Sequence, residues 1–414
     1  MSVQMRLVHT RMGMTPPALH SEESAREMAL HAPQPSPMPA RMRARFTATT
    51  DGGVTRVLPK RGLRSGGVLV FLHGGAYVYP LVEGQWGIVE GLIDRTGLPV
   101  IIPDYPLAPK HAATDAFDVV QPIIDEVQAE FGRVILFGDS AGGGLAISLA
   151  MQRRDAGARQ VDGLVLYAPW VDVTMTNPAI EEVQRRDKIL RAPGLEWAGR
   201  AWAGDLDPAD WRVSPLYGDP AGLPPMRIFQ GDADILGPDA IEFARKAARA
   251  GVDVRLRVEP GGFHVYVLGV PTIPEAEAAL VGTRRNGAGA FAGLIRTADT
   301  AVFGPDVLIE PPSIDEAVVA PQVTQLHVLA RGVRGLGEFA LHRVLECVGI
   351  GRGRGVDVDG DAIAGAQDHD SARVRQRAHE GRTQVGRAGE SGDVIKGGVA
   401  VVRGEHMNSH NASI

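Results

Sequence analysis

Residues Gly138-Asp139-Ser140-Ala141-Gly142 set a serine among small residues, between the apolar run Val134-Ile135-Leu136-Phe137 and a helix-like stretch that opens at Gly143-Gly144-Leu145-Ala146. A strand that turns into a helix within one residue makes a strained corner; small neighbours let the backbone close there, and the hydroxyl projects clear of the sheet. A serine hydroxyl is a weak nucleophile at neutral pH and needs a base within hydrogen-bond reach to take its proton as it attacks a carbonyl. His264, which follows Gly261-Gly262-Phe263, is the candidate, because imidazole titrates near neutrality and can return the proton to a leaving group. A carboxylate must then hold the ring in one tautomer and stabilise the transient imidazolium; Asp232, Asp234 and Asp239 are all available for that. Charge on the attacked oxygen requires aligned donors, for which the backbone N–H groups of Gly74, Gly75 and Ala76 and of Ala141, just after the serine, are suited. Residues of these types point to acyl transfer through a covalent serine ester.

Such groups work only if a scaffold brings them together. Val68–Leu72, Leu98–Ile102, Arg133–Phe137, Gly163–Tyr167, Met226–Gln230 and Val254–Val258 read as short buried strands. Ala113–Phe131, Leu145–Ala156 and Asp239–Ala250 read as helices between them. This alternation predicts an α/β fold with a mainly parallel central sheet covered by helices on both faces, whose chemistry sits at the carboxyl ends of the strands. His73-Gly74-Gly75-Ala76, Ser140, Asp232-Ala233-Asp234 and Gly261-Gly262-Phe263-His264 each follow a strand. Their order along the chain is oxyanion segment, serine, aspartate, histidine, the order found in α/β-hydrolases.

From about Gly67 to Gly282, about half of the chain, the sequence resembles the hormone-sensitive-lipase-like carboxylesterases and lipases of the α/β-hydrolase family. The matching residues are His73-Gly74-Gly75, the run Asp104-Tyr105-Pro106-Leu107-Ala108-Pro109, the elbow Gly138-Asp139-Ser140-Ala141-Gly142-Gly143, Asp234-Ile235-Leu236 and His264. The resemblance implies an α/β-hydrolase fold with a small helical cap, here an insertion at about 170–215, and cleavage of short- to medium-chain acyl esters without cofactor or metal. It favours Asp234 as the acid, since the family places that residue two positions before a leucine, here Leu236. His73 is expected to pin the oxyanion turn, with Asp104 and Tyr105 bracing it. Ala76 stands where the family commonly has a third glycine, and Pro106 and Lys110 replace its usual arginine and glutamate. A non-catalytic ligand-binding protein on the same scaffold, or an amidase or acyltransferase using the same groups, are the alternatives; the former usually lacks the histidine that is present here as His264.

Composition sets the remaining bounds. With 414 residues, 44% of them hydrophobic, and a net charge of −6, the chain has no electrostatic reason to bind nucleic acid or an anionic membrane. Its single cysteine, Cys347, excludes an internal disulfide. The first residues lack the apolar core of a signal peptide and no stretch approaches the length of a membrane span, so the expectation is a cytoplasmic enzyme acting on a small-molecule ester, without membrane insertion, with a homodimer as one possible assembly. Trp170, Trp197, Trp202 and Trp211 fall in the cap insertion, as core packing or as the lining of a substrate pocket.

Three segments are expected: an arm at 1–60 with an amphipathic stretch at Ser21–His31, the catalytic domain at 61–282, and a tail at 283–414. The tail contains none of the chain's 5 Trp and 6 Tyr and lacks sustained periodicity, which reads as a disordered or read-through extension that cuts short the closing helix begun at Pro274, with a genuine accessory module as the alternative. Asp357-Val358-Asp359-Gly360-Asp361 fails as a calcium loop because its glycine is misplaced. Gly351-Arg352-Gly353-Arg354-Gly355 reads as a solvated linker and Asn411-Ala412-Ser413 as a sequon without context.

Overall fold

The computed structural model describes residues 1–14, 17 and 19–281. The tail expected at 283–414, with Cys347 and the motifs read in it, lies outside the described residues.

An eight-stranded sheet carries the fold, in the order β1-β2-β4-β3-β5-β6-β7-β8. The strands are β1 (Phe46–Asp51), β2 (Val54–Pro59), β3 (Val68–Leu72), β4 (Val100–Pro103), β5 (Val134–Asp139), β6 (Gly163–Tyr167), β7 (Met226–Gly231) and β8 (Val254–Glu259). From β4 to β8 neighbouring strands run parallel, whereas β1–β2 and β2–β4 pair antiparallel. Every residue of β3, β5 and β6 is buried, which is why these strands read as unbroken apolar runs: helices cover both of their faces. Phe71 and Phe137 stack across the β3–β5 pair with ring centres 4.6 Å apart.

The helices are α1 (Val3–Met12), α2 (Glu22–Leu30), α3 (Gln85–Thr96), α4 (Ala113–Phe131), α5 (Ala141–Asp155), α6 (Ala179–Gln184), α7 (Ala192–Ala203), α8 (Gly237–Arg249) and α9 (Pro274–Val281). The amphipathic stretch expected at 21–31 is α2, whose first turn is closed by reciprocal bonds between Ser21 and Ser24. The expected cap insertion holds α6 and α7, and α2 packs on α7. Among the described residues no helix is long and apolar enough to cross a membrane.

Residues 1–60 differ from the arm expected of them, because their last part enters the sheet. β1 and β2 form a hairpin through Gly52 and Gly53, both at positive φ (53° and 78°), a two-residue turn that the Asp51-Gly52-Gly53 run encodes. β1 is an edge strand with mostly exposed side chains, so it lacks the apolar alternation by which strands are recognised. α3 lacks a readable apolar stripe because Gly87 and Gly91 interrupt it; Gly91 lets α9 approach, since a Cβ there would stand 2.6 Å from the Leu280 side chain, which would have to shift.

The topology positions the chemistry. Leu72 pairs with Gly138, Asp139 with Tyr167, and Gly231 with Glu259, so β3, β5, β7 and β8 end along one edge of the sheet. The chain runs from β3 to β4 on one side and then to β5 on the other, which opens a switch point at the start of the segment after β3. Phe71→Ala would empty a fully buried ring site at this junction, with an expected loss of about 3–5 kcal/mol in unfolding free energy. Urea denaturation monitored by tryptophan fluorescence measures it.

Candidate active site

Ser140 sits at the corner between β5 and α5 with φ 52° and ψ −121°, a backbone conformation rare for an L-residue. The corner can close because its flanks are small: a Cβ on Gly138 would meet the backbone of Gly142 at 2.5 Å, and one on Gly142 would collide with the carbonyls of Leu72 and His73. Ser140 N–H donates to the Tyr167 carbonyl (2.8 Å), extending the β5–β6 ladder by one residue past the strand.

The expected groups converge here. His264 Nε2 lies 3.0 Å from Ser140 Oγ, and its Nδ1 lies 2.9 Å from Asp234 Oδ2. Of the three carboxyls considered, Asp234 is the one at the ring. Asp232 instead accepts from Gly261 N–H (2.7 Å), and Asp239 from the Asn177 side chain (2.7 Å). The oxygens of Asp234 also accept from Gln230 Nε2 (2.8 Å) and Leu236 N–H (3.0 Å), which fixes the carboxylate from below. Burial alone would pull the His264 pKa down. The charge and hydrogen bond of Asp234, joined by the charges of Asp187 and Asp139, outweigh it and hold the imidazole above its usual value.

The turn after β3 divides in two. Gly74 N–H donates to Asp139 Oδ1 (3.0 Å), so this amide is already spent and leaves the set of expected oxyanion donors. Among the described residues no hydrogen bond engages the N–H of Gly75, Ala76 or Ala141. Gly75, Ala76 and Tyr77 all adopt positive φ (127°, 53° and 62°). Left-handed backbone at Ala76 and Tyr77 costs on the order of 1–3 kcal/mol each and needs support from the surroundings.

Support comes partly from the residues expected to give it. His73 Nδ1 stands 2.8 Å from the Gly74 carbonyl, and its burial lowers the ring's pKa to about 4, which keeps it neutral. Tyr105 donates its hydroxyl to the His73 carbonyl (2.6 Å) and stacks on the ring. Asp104 does not brace the turn as expected: among the described residues its carboxyl makes no bond there, and its N–H donates to Gly53 in the hairpin (2.7 Å).

Other residues of the site carried little or no signal in the sequence. Asp139, part of the elbow pattern, accepts from Gly74 N–H and from Gln85 Nε2 at both oxygens; burial raises its pKa to about 6 despite these bonds. Asp187, in the cap, is fully buried and accepts from the N–H groups of Ile189 (2.7 Å), Leu190 (2.9 Å) and Ile235 (2.9 Å), the residue after Asp234. Burial and the nearby charge of Asp234 raise its pKa to about 6. An isolated aspartate between ordinary cap residues gives no motif to read.

Beside Ser140 and His264 lies a mainly apolar cavity of about 70 Å³, walled by Leu19, Met28, Ile189, Leu190, Leu195 and Leu268. The cap tryptophans take the packing role. Trp170 and Trp202 are 1% exposed and Trp197 8%, and none of the cap tryptophans reaches this cavity.

Residues 69–268 match a family described by its α/β-hydrolase fold. Over 251 residues the chain is 34% identical to a Mycobacterium tuberculosis protein designated an acetyl-hydrolase, covering 59% of this chain and 80% of that one. Over 217 residues it is 31% identical to an esterase of Acinetobacter venetianus, covering 51% and 72%. Among solved structures, a hormone-sensitive lipase from a metagenome library superposes with a TM-score of 0.56 at 25% identity, covering 67% of this chain and 93% of that one.

Removing the carboxylate in Asp187→Ala would strand the amides of Ile189, Leu190 and Ile235, at about 1–3 kcal/mol for each buried donor left unpaired. A fall in the thermal unfolding midpoint, smaller in Asp187→Asn whose amide oxygen still accepts, is the expected result in differential scanning calorimetry.

Proposed function

Because this chain belongs to the α/β-hydrolase family, in its hormone-sensitive-lipase-like branch of carboxylesterases and lipases, and so is a hydrolase of carboxylic ester bonds, we propose that it is a serine carboxylesterase working through an acyl-enzyme on Ser140. The single observation that carries this reading is the unbroken contact from Ser140 Oγ to His264 to Asp234, at 3.0 and 2.9 Å.

In this mechanism Ser140 Oγ attacks the ester carbonyl as its proton passes to His264 Nε2. The Nδ1–H stays bonded to Asp234, whose charge stabilises the imidazolium. The oxyanion is met by the amides of Gly75, Ala76 and Ala141, where loss of one donor costs about 3–4 kcal/mol of transition-state stabilisation. Collapse expels the alcohol, which takes its proton from His264. Water, deprotonated by the same nitrogen, then cleaves the acyl-serine and releases the acid.

The cavity supports the short end of the short- to medium-chain acyl range. Its free space is small and its walls are the apolar side chains of Leu19, Met28, Ile189, Leu190, Leu195 and Leu268, which suits a short acyl chain better than a long one. The acetyl-hydrolase designation of the Mycobacterium tuberculosis relative points the same way. A small soluble ester as substrate, and a cytoplasmic setting, belong to the same proposal.

p-Nitrophenyl esters of graded length test it. Turnover of the acetate is expected to vanish in Ser140→Ala, and wild-type kcat/KM to fall from butyrate to decanoate; turnover retained in Ser140→Ala would remove the reading. Leu190→Ala, which enlarges the cavity wall, shifts the optimum to longer chains.

The base must be neutral to accept the proton, so kcat/KM falls as pH drops through the His264 pKa. That pKa is raised, which places the midpoint of the acid limb above the ordinary histidine value of about 6.5. The carboxylates facing the ring are Asp234, Asp187 and Asp139, and Asp187→Asn, with one charge fewer, moves the midpoint towards acid in a pH–rate profile.

A further inference from the structure

Tyr77 is a bulky residue in left-handed backbone (φ 62°), immediately after Ala76 in the same conformation (φ 53°) and two residues after Gly75. A side chain of this size leaves such a conformation unless neighbouring structure over-determines it. The ring of Tyr77 is held on several sides. It lies parallel to Trp202 of α7, centres 4.1 Å apart and planes 1° apart, and stacks on Trp170, which follows β6, at 5.5 Å and 24°. Its hydroxyl reaches the backbone of Leu145 in α5. Gly144 makes room for that reach, since a Cβ there would stand 2.8 Å from the hydroxyl oxygen. Its carbonyl accepts from Ala108 N–H (2.9 Å). The residue is 1% exposed.

We infer that Tyr77 is the positioning residue of the oxyanion donors: its ring, clamped by Trp170 and Trp202, holds the left-handed Ala76–Tyr77 pair and thereby the free amides of Gly75 and Ala76. The inference rests on the serine-esterase reading and adds to it. Gly74 is tied by Asp139, and the carbonyls of Gly74 and Gly75 are held by His73 Nδ1 (2.8 Å) and by the N–H groups of Val78 (3.0 Å) and Tyr79 (2.9 Å), but the N–H groups of Gly75 and Ala76 make no hydrogen bond among the described residues, so keeping the left-handed turn that aims them also needs a grip on the chain just beyond. Tyr77 is that grip. It acts through the backbone and does not line the cavity beside Ser140.

The test compares Tyr77→Phe, Tyr77→Leu and Trp202→Leu on p-nitrophenyl acetate, together with inhibition by an alkyl trifluoromethyl ketone, whose adduct with serine places an oxyanion against the donors. Tyr77→Phe keeps the stack and is expected to stay within about threefold of wild type in kcat. Tyr77→Leu and Trp202→Leu are expected to lose about 100-fold in kcat with KM little changed, and to lose ketone affinity in proportion. Trp202→Leu alone decides the matter if Tyr77→Leu does not fold. A kcat within about threefold of wild type in the folded leucine variants, or a kcat loss with ketone affinity intact, overturns the inference. Turnover unchanged in Ser140→Ala would instead remove the esterase reading itself, whereas turnover lost there and retained in Tyr77→Leu removes only the role of Tyr77.

Discussion

A serine at φ 52° and ψ −121° relaxes unless the chain around it forbids relaxation, and the architecture of this site follows from forbidding it. The strain is worth on the order of 1–3 kcal/mol. Against it stand the bond from Ser140 N–H to Tyr167 (2.8 Å) and those its carbonyl accepts from Gly143 (3.0 Å), Gly144 (3.2 Å) and Trp170 (2.9 Å). At about 1 kcal/mol net for each, these bonds offset the strain. They also tie the elbow to both ends of the β6 turn and to the first turn of α5. The hydroxyl is therefore placed by backbone bonds on three elements and not by its own rotamer alone, and the flanking residues must be small because the elements approach too closely for a Cβ.

Electrostatics supply a second constraint. Asp139, Asp187 and Asp234 are all buried around one imidazole, an arrangement that is costly while every carboxylate is charged and the ring is neutral. The cost shows in the pKa values of Asp139 and Asp187, each pushed up to about 6 by burial. It is lowest when the ring carries its proton, the state through which the proposed reaction passes. The carboxylates thus favour the protonated ring over the neutral one, and donors hold each of them in place: Gly74 N–H and Gln85 for Asp139, three backbone amides for Asp187, and Gln230 and Leu236 N–H for Asp234.

The parts of this site that could be read in the sequence are those whose chemistry demands a particular residue type. Ser140 and His264 follow strands and sit in glycine-marked turns, and the parallel sheet is legible because strands buried on both faces are continuous apolar runs. The choice of Asp234 over Asp232 came from a resemblance, since both follow the same strand and only the turn decides which carboxyl reaches the ring. The spent amide of Gly74 was illegible for a related reason: its partner Asp139 lies 65 positions away, and nothing local distinguishes Gly74 from Gly75. The β1–β2 hairpin announced itself only through Gly52-Gly53, because an edge strand has no buried face to impose a pattern.

The cavity proposed to take the acyl group is the least legible part of the site. Its wall is assembled from Leu19 before α2, Met28 within α2, Ile189 and Leu190 in the cap, and Leu268 beyond the histidine, all ordinary core residues singly. Leu19 and Leu190 are joined by a β-bridge, so the wall is one unit although its parts are far apart in the chain. That unit is anchored by the carboxylate that also holds the loop of Asp234: Asp187 accepts from Ile189 and Leu190 through one oxygen and from Ile235 through the other. In the proposed reaction, an acyl group too large for the cavity displaces Leu190 only by pulling on this shared anchor, one residue from Asp234. On that proposal acyl fit and the alignment of His264 are mechanically linked, and discrimination between acyl groups is expressed in the rate of attack as well as in binding.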